Sequence, residues 1–409
     1  MAALQQADYV TFLKEWYQGT VVADLVYDNN PYLGIVPKNT NVRGNVYPKP
    51  IRFANVTGNS ALYATADANQ GPATRERWEN VHIDNYSKAS VSNRVMELSL
   101  GDPAAFREAL QDSVDSAFNA FANDMAYELF GDGTGTRGVV SAGGAPQSVP
   151  SATNVPLGLG EARFFEVGMV LQHSLAAGAS LLNTGEESIV TEVDRALDQL
   201  TIAPAWTTVS IATHKLYRSG DFDAKANGLP AWLVVGASPG TFLGVNRDLD
   251  PTRLAGVQGT TGATSGSEIT ESLVLTGADL QAQGGKPNLI LLHPTDRAAL
   301  ALETEFRGGR YAKVTSTEGN ISFSALEIET GAGPVPVLSD PNMTPNKSYM
   351  IDTRTHELFS AGGAPRMFKK DGSFYQRAVS LDEISFYLFG FYNLSIQNPG
   401  GNAVTAALV

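Results

Sequence analysis

The sequence has no cysteine, which excludes disulfides and every thiolate-held metal centre. Histidine is scarce too. His82, His173, His214, His293 and His356 are the full set, and no two stand at the i, i+4 spacing of a helical metal site. Basic charge is in deficit: 29 Lys and Arg against 42 Asp and Glu, a net charge of −13. A chain built to grip phosphates would show the opposite sign or a dense basic block. The densest mixed cluster, Arg75, Glu76, Arg77 and Glu79, compensates itself. No run approaches the roughly 18 apolar residues of a membrane-spanning helix. The first twenty residues, MAALQQADYVTFLKEWYQGT, lack both the basic n-region and the apolar h-region of a secretory signal.

Signatures of catalysis are missing as well. Gly133, Gly135 and Gly138 satisfy GxGxxG, but a dinucleotide site needs a strand before the glycines and a helix after them. Here a helical pattern precedes them and a Gly/Ala/Ser/Pro stretch, 139 to 158, follows, so they read as a helix exit and a linker. Gly284-Gly285-Lys286 lacks the upstream glycine of a P-loop and reads as a turn. There is no HExxH, EF-hand or GxSxG pattern. His293, beside Pro294 at a strand end, is the one tempting histidine, and backbone capping is the expected role. No catalytic residue, cofactor or metal is expected.

What remains is a folded chain of 409 residues, 43% hydrophobic and 17% charged, long enough for two or three structural units. Its most informative stretch is Asp102 to Gly138. Phe106, Leu110, Val114, Phe118, Phe121, Met125 and Leu129 recur at steps of three and four, placing them on one helical face. Asp102 suits the N-cap, Pro103 the first turn, and Gly131 the stop. A helix from Pro103 to Phe130 would be about 42 Å long, a spine for something extended.

Around it, Val10, Leu13, Trp16 and Tyr17 mark a short amphipathic helix in an N-terminal arm. Residues 48 to 98 read as a long two-stranded excursion. Its outgoing strand holds Ile51, Phe53 and Val56, and its return holds Val81, Ile83, Tyr86, Val91, Val95 and Met96. The polar, Gly/Pro-marked span between them has no core of its own. Beyond the linker come short β-type runs suited to a small barrel. Further on, the spacing predicts a helix near Ser267 to Gln283, a buried strand at Leu289 to Leu292, and a helix capped by Thr295. Strands follow at Ala325 to Glu329, Val335 to Leu338 and Tyr349 to Asp352. The last strand, Ile384 to Ile396, carries Phe386, Tyr387, Phe389, Phe391 and Tyr392 and needs cover on both faces. No regular βαβ rhythm appears, which favours α+β.

FANDMAYELFGDGTGTRG resembles the spine helix and exit of tailed-phage major capsid proteins of the Hong Kong 97 fold. LILLHPTDRAALAL (289 to 302) is similar to the strand-turn-helix of that family's axial domain, and GVNRDLDPTRLAG (244 to 256) to a loop of one subgroup. EISFYLFGFYNLSIQNPGGNAV (383 to 404) resembles the closing strand of its peripheral domain. The resemblance implies an α+β, Hong Kong 97-like organisation: an N-terminal arm (1–47), an extended loop (48–98), a spine helix (99–138), and a linker with an inserted β-barrel-like domain (139–218). A mainly axial domain (219–380) and a closing strand with tail (381–409) complete it.

It further implies a virion shell of hexamers and pentamers, made in a host cytoplasm and enclosing double-stranded DNA without reading its sequence. Portal, separate scaffolding and decoration proteins are the implied partners; no membrane is. Trp16, Tyr17, Asp67, Gln70, Arg75, Arg77 and Trp78 are the candidate contacts with a neighbouring subunit. One branch of the family crosslinks an extended-loop lysine, but Ala64 to Tyr86 holds none, so no crosslink is expected. Because the extended region is reached by about residue 50, the chain is expected to enter its particle without loss of an N-terminal scaffolding segment. Two alternatives stay open: an encapsulin-like nanocompartment shell, and a β-rich soluble enzyme or carbohydrate-binding protein.

Overall fold

The structure is a computed structural model and describes residues 30–92, 103–143, 147–208, 212–236, 238–259, 269–307, 311–315, 322–331, 333–369, 374, 376–377, 383–405 and 408. At 91–92, 103–113, 304–307, 311–315, 322–326 and 377 it describes the backbone alone. The expected arm helix with Trp16 and Tyr17 therefore lies outside the described residues, as does Asp102. Two compact units form. One combines the chain before Phe130 with the chain from Trp232 onward, and the other is Phe130–Ala231.

In the first unit the spine helix spans Pro103–Glu128. From the point where side chains are described, its apolar stripe is buried: Val114, Phe118, Phe121, Met125 and Leu129 are at most 6% exposed. The closing strand, Glu383–Ile396, lies at the centre of a mixed sheet. Ile83–Ser92 runs antiparallel along one edge, and His356–Ser360, Arg366–Met367 and Gln376–Arg377 share the other. This corrects the expected return strand of the excursion. The return is Arg75–Val81, and the chain then enters a different sheet, where Ile83 to Ser92 gain a ten-residue ladder that the excursion could not supply. Phe121 stands 6.2 Å from the Tyr392 ring in an edge contact. Gly390 permits that approach, since a Cβ there would lie 3.0 Å from Phe121 Cζ and 2.9 Å from Ala364 Cβ.

The same unit holds a seven-stranded sheet in the order Val257–Gln258, Ala403–Thr405, Ser348–Ile351, Leu289–Leu292, Gly333–Ser339, Ser322–Thr330, Tyr311–Thr315. Leu289–Leu292 is buried at all four positions. That is the pattern of a central strand covered on both faces. The helices Ile269–Ala282 and Pro294–Arg307 supply Leu273, Leu280 and Leu300 to its core beside Ile290, Leu292, Val337 and Met350. Thr295 is not the cap. It sits in the first turn, and His293 precedes the helix with its Nδ1 2.7 Å from Thr295 Oγ1 and 3.3 Å from the Thr295 amide. The ring thus does what a side-chain oxygen does at an ordinary N-cap.

The second unit is a small antiparallel barrel. Its strands are ordered Gly138–Val139, Lys215–Arg218, Val170–Ser174, Ser188–Asp194, Gln199–Ala203, Asn154–Pro156. A Val140–Leu157 bridge and the Ser141 N–H to Pro156 carbonyl bond (2.9 Å) join first strand to last. Phe165, Leu171, Val190, Leu200, Ile202 and Leu216 fill the interior. The stretch read as a linker therefore carries two of the strands. The unit is also wider than 139–218, because the glycine exit packs on residues 221 to 228. Asp223 N–H donates to Thr134 O (2.8 Å) and Gly228 N–H to Gly131 O (3.0 Å). Gly133 and Gly135 take φ of 87° and 79°, which only glycine adopts without strain.

Candidate assembly surface

Val46–Arg52 and Arg75–Val81 form a two-stranded ribbon in unbroken register from Val46↔Val81 to Arg52↔Arg75. The period of two sorts its side chains cleanly. Tyr47, Lys49, Ile51, Trp78 and Asn80 turn toward the protein, while Val46, Pro48, Pro50, Arg52, Arg75 and Arg77 are exposed. Phe53 donates to Thr74 O at 3.3 Å, so the alternation puts residues 48 and 50 with their nitrogens on the free edge. Both are proline, which denies that edge two donors and discourages strand addition.

At its root the ribbon is locked. Trp78 is fully buried and packs edge-on against Trp232 (5.1 Å) and Phe242 (6.4 Å). Trp232 Nε1 donates to Leu394 O at 3.1 Å. Arg247 lies 4.5 Å over the Phe242 ring, and burial lowers its pKa to about 10. Lys49 pairs with Glu357, which also accepts from Asn39 (2.6 Å) and Tyr47 (3.2 Å). Burial opposes the Glu357 carboxylate, yet these partners hold its pKa below the usual range.

Among the described residues the tip has no such support. The short helix Tyr63–Ala68 buries no residue, and Val56, Leu62 and Tyr63 are 56%, 69% and 88% exposed. Thr57 closes the loop through bonds with Gly71 O (3.4 Å) and Asn69 O (3.1 Å). Val56, Tyr63, Asp67, Gln70 and Pro72 help line a shallow concavity of about 550 Å³. Val56 and Tyr63 at this hollow, and Leu62 next in sequence to Tyr63, are large apolar side chains left in water.

The candidate contacts thus divide. Asp67, Gln70, Arg75 and Arg77 are exposed on the tip and the outer ribbon face. Arg77 leans on Glu79 at 2.8 Å, a pair too exposed to matter for stability. Trp78 is a correction: a side chain with no exposed area, clamped by two aromatics of its own chain, contributes to the root and not to a neighbour. Trp16 and Tyr17 fall outside the described residues, and so do the side chains of Phe106 and Leu110.

Sequence reasoning also passed over the polar groups beside the spine. Asp124 and Glu128 are both buried. Asn85 Nδ2 lies 2.9 Å from Tyr392 Oη, 3.3 Å from Asp124 and 3.4 Å from Glu128. Tyr392 donates to Glu128 Oε2 at 2.8 Å. Burial first, then Glu128 and Asp124 nearby, push the phenol far above its ordinary pKa, so it remains a donor. The i, i+4 spacing of the two carboxylates inside the apolar stripe was the available signal. Among the described residues no group of three or more His, Asp or Glu could hold a metal, and no helix is long and apolar enough to cross a membrane.

No protein-family model matches the sequence, and no curated protein matches it either. Solved structures do. The chain is similar to a subunit in the capsid asymmetric unit of cyanophage A-1(L), with 13% identity, a TM-score of 0.50, and 95% of this chain and 94% of that one covered. The holo-SrpI encapsulin complex of Synechococcus elongatus aligns at 11% identity, TM-score 0.46, covering 100% and 96%. A structure from Mycobacterium phage Bobi aligns at 10% identity, TM-score 0.42, covering 99% and 98%. At such identities the likeness to the cyanophage subunit speaks to fold alone. The chain has the α+β, Hong Kong 97-like capsid fold.

Proposed function

We propose that the chain is the major capsid protein of a tailed double-stranded DNA phage, a structural subunit and not an enzyme. It would self-assemble as hexamers and pentamers into the icosahedral head shell. The observation that carries this reading is the ribbon: a firmly anchored root and an apolar tip that finds no core among the described residues, on a capsid fold. A free subunit would leave Val56, Leu62 and Tyr63 in water, and a shell covers them. The net charge of −13 fits a container that holds DNA without gripping it. Its proposed partners are further copies of itself, a portal protein, a separate scaffolding protein and a decoration protein.

Electron microscopy of the purified protein, with nucleic-acid analysis of native particles, tests the proposal. Closed shells containing double-stranded DNA are expected. A uniform small species would refute a shell role. DNA-free shells loaded with a cargo enzyme would move the assignment to a nanocompartment.

A further inference from the structure

Two imidazoles stack inside the barrel. His173 lies on Val170–Ser174 and pairs in register with Leu216 on Lys215–Arg218. His214 is two residues before Leu216, so it projects on the same face as His173, one step along the diagonal. The ring centroids are 5.9 Å apart with planes at 23°. The Trp206 ring lies 4.0 Å from His173 at 34°. His173 is 1% exposed, His214 2% and Trp206 2%.

No nitrogen of either imidazole makes a hydrogen bond of normal geometry among the described residues. A neutral imidazole carries one donor and one acceptor, and leaving them unmet in an interior is unfavourable. An apolar pair would fill this space at less cost, so the site calls for an explanation. It also sits in a mechanically central place, since Lys215–Arg218 and Val170–Ser174 are adjacent strands within the barrel order.

We propose that the stacked His173–His214 pair is an acid-operated release built into the barrel, which opens along the seam between these two strands when the pair takes up protons. Charging one ring sets an unsolvated cation beside Trp206 and the other ring; charging both makes them repel. Glu186 and the Thr208 backbone favour a proton on His173, while burial and His214 oppose it and prevail, holding its pKa at about 4. Burial also lowers that of His214. Lys215 alternates to the opposite face, and Glu187 is on that face too, bonded to Gln172 at 3.4 Å.

The sign follows from linkage. A histidine that is harder to protonate folded than unfolded stabilises the fold above its ordinary pKa of 6.5, and that stability drains as pH falls toward 4. Between pH 7 and pH 5, His173 alone should raise the opening equilibrium roughly 25-fold.

The test is hydrogen exchange of the full chain from pH 7 to pH 5, corrected for intrinsic rates and read on peptides covering 170–174 and 215–218. Trp206 fluorescence is followed alongside, because a charged imidazole in contact quenches indole emission. Wild-type protection should fall at least roughly 25-fold across that range, while His173→Gln/His214→Gln stays flat. Each single variant should lose part of the slope, which keeps the test decisive if the double variant does not fold. Constant wild-type protection would overturn the proposal. So would variants that lose protection along the wild-type profile.

Discussion

Phe121 and Gly390 form a knob and a slot, and their coupling is a measurable consequence of the packing. Phe121 is 2% exposed, and its truncation to alanine should cost about 3–4 kcal/mol, the range for a buried phenylalanine whose surroundings relax only partly. Gly390→Ala acts the other way. Its methyl would arrive 3.0 Å from Phe121 Cζ, 2.9 Å from Ala364 Cβ and 3.3 Å from Tyr392 Cδ1. Something must shift, at a cost of about 1–3 kcal/mol. In the Phe121→Ala background the new methyl finds room instead of a ring edge. The double variant should therefore be more stable than the sum of the single effects implies, by at least about 0.5–1 kcal/mol. The chain has two units and two-state unfolding cannot be assumed, so the readout should be local: native-state exchange of the Phe118 to Leu129 amides in dissociated subunits. Additivity within about 0.3 kcal/mol, or a neutral Gly390→Ala, would refute the claim that the glycine exists to admit the ring.

Three further outcomes are expected. Deleting Ala66 to Pro72 should leave the subunit folded, since the helix there buries nothing, but should impair closed-shell formation; normal particle yield by microscopy would contradict this. His356 is fully buried, and burial lowers its pKa to about 4 against the opposing pull of Asn402 and Asp352. Its Nε2 faces Asn402 Oδ1 at 3.0 Å, an oxygen that can only accept, so Nε2 carries the proton and Tyr32 Oη donates to Nδ1 at 2.8 Å. This neutral form stabilises the fold above pH 6.5, and about 2 kcal/mol should be gone by pH 5; exchange in residues 30 to 36 that is insensitive to pH would contradict it. Finally, Lys49 is engaged by Glu357 and Lys88 by Glu383 (2.8 Å), so denaturing gels of particles should show one monomer band and no covalent ladder.

Local periodicity alone determined the elements whose cover is continuous along the chain. The spine helix was legible because Val114, Phe118, Phe121, Met125 and Leu129 repeat at helical spacing. Leu289–Leu292 was legible because a strand covered on both faces is uniformly apolar. The crowding of aromatics between Phe386 and Tyr392 likewise announced a strand at the centre of something. Tertiary structure decided what periodicity leaves open, which is the partner of each face. In RERWENV the alternation shows that Trp78 opposes Arg77 and Glu79, but not which side is covered; Trp232 and Phe242, distant in sequence, settle that and turn an expected contact residue into an anchor. The same holds for Ile83 to Ser92, whose pattern suits either ribbon or sheet until the closing strand offers it a ladder. Polar groups were the least legible. Asp124, Glu128, His173, His214 and His356 read as ordinary surface or scattered residues, because a buried polar side chain is recognised by its partners and not by its spacing, and those partners come together only when the chain folds.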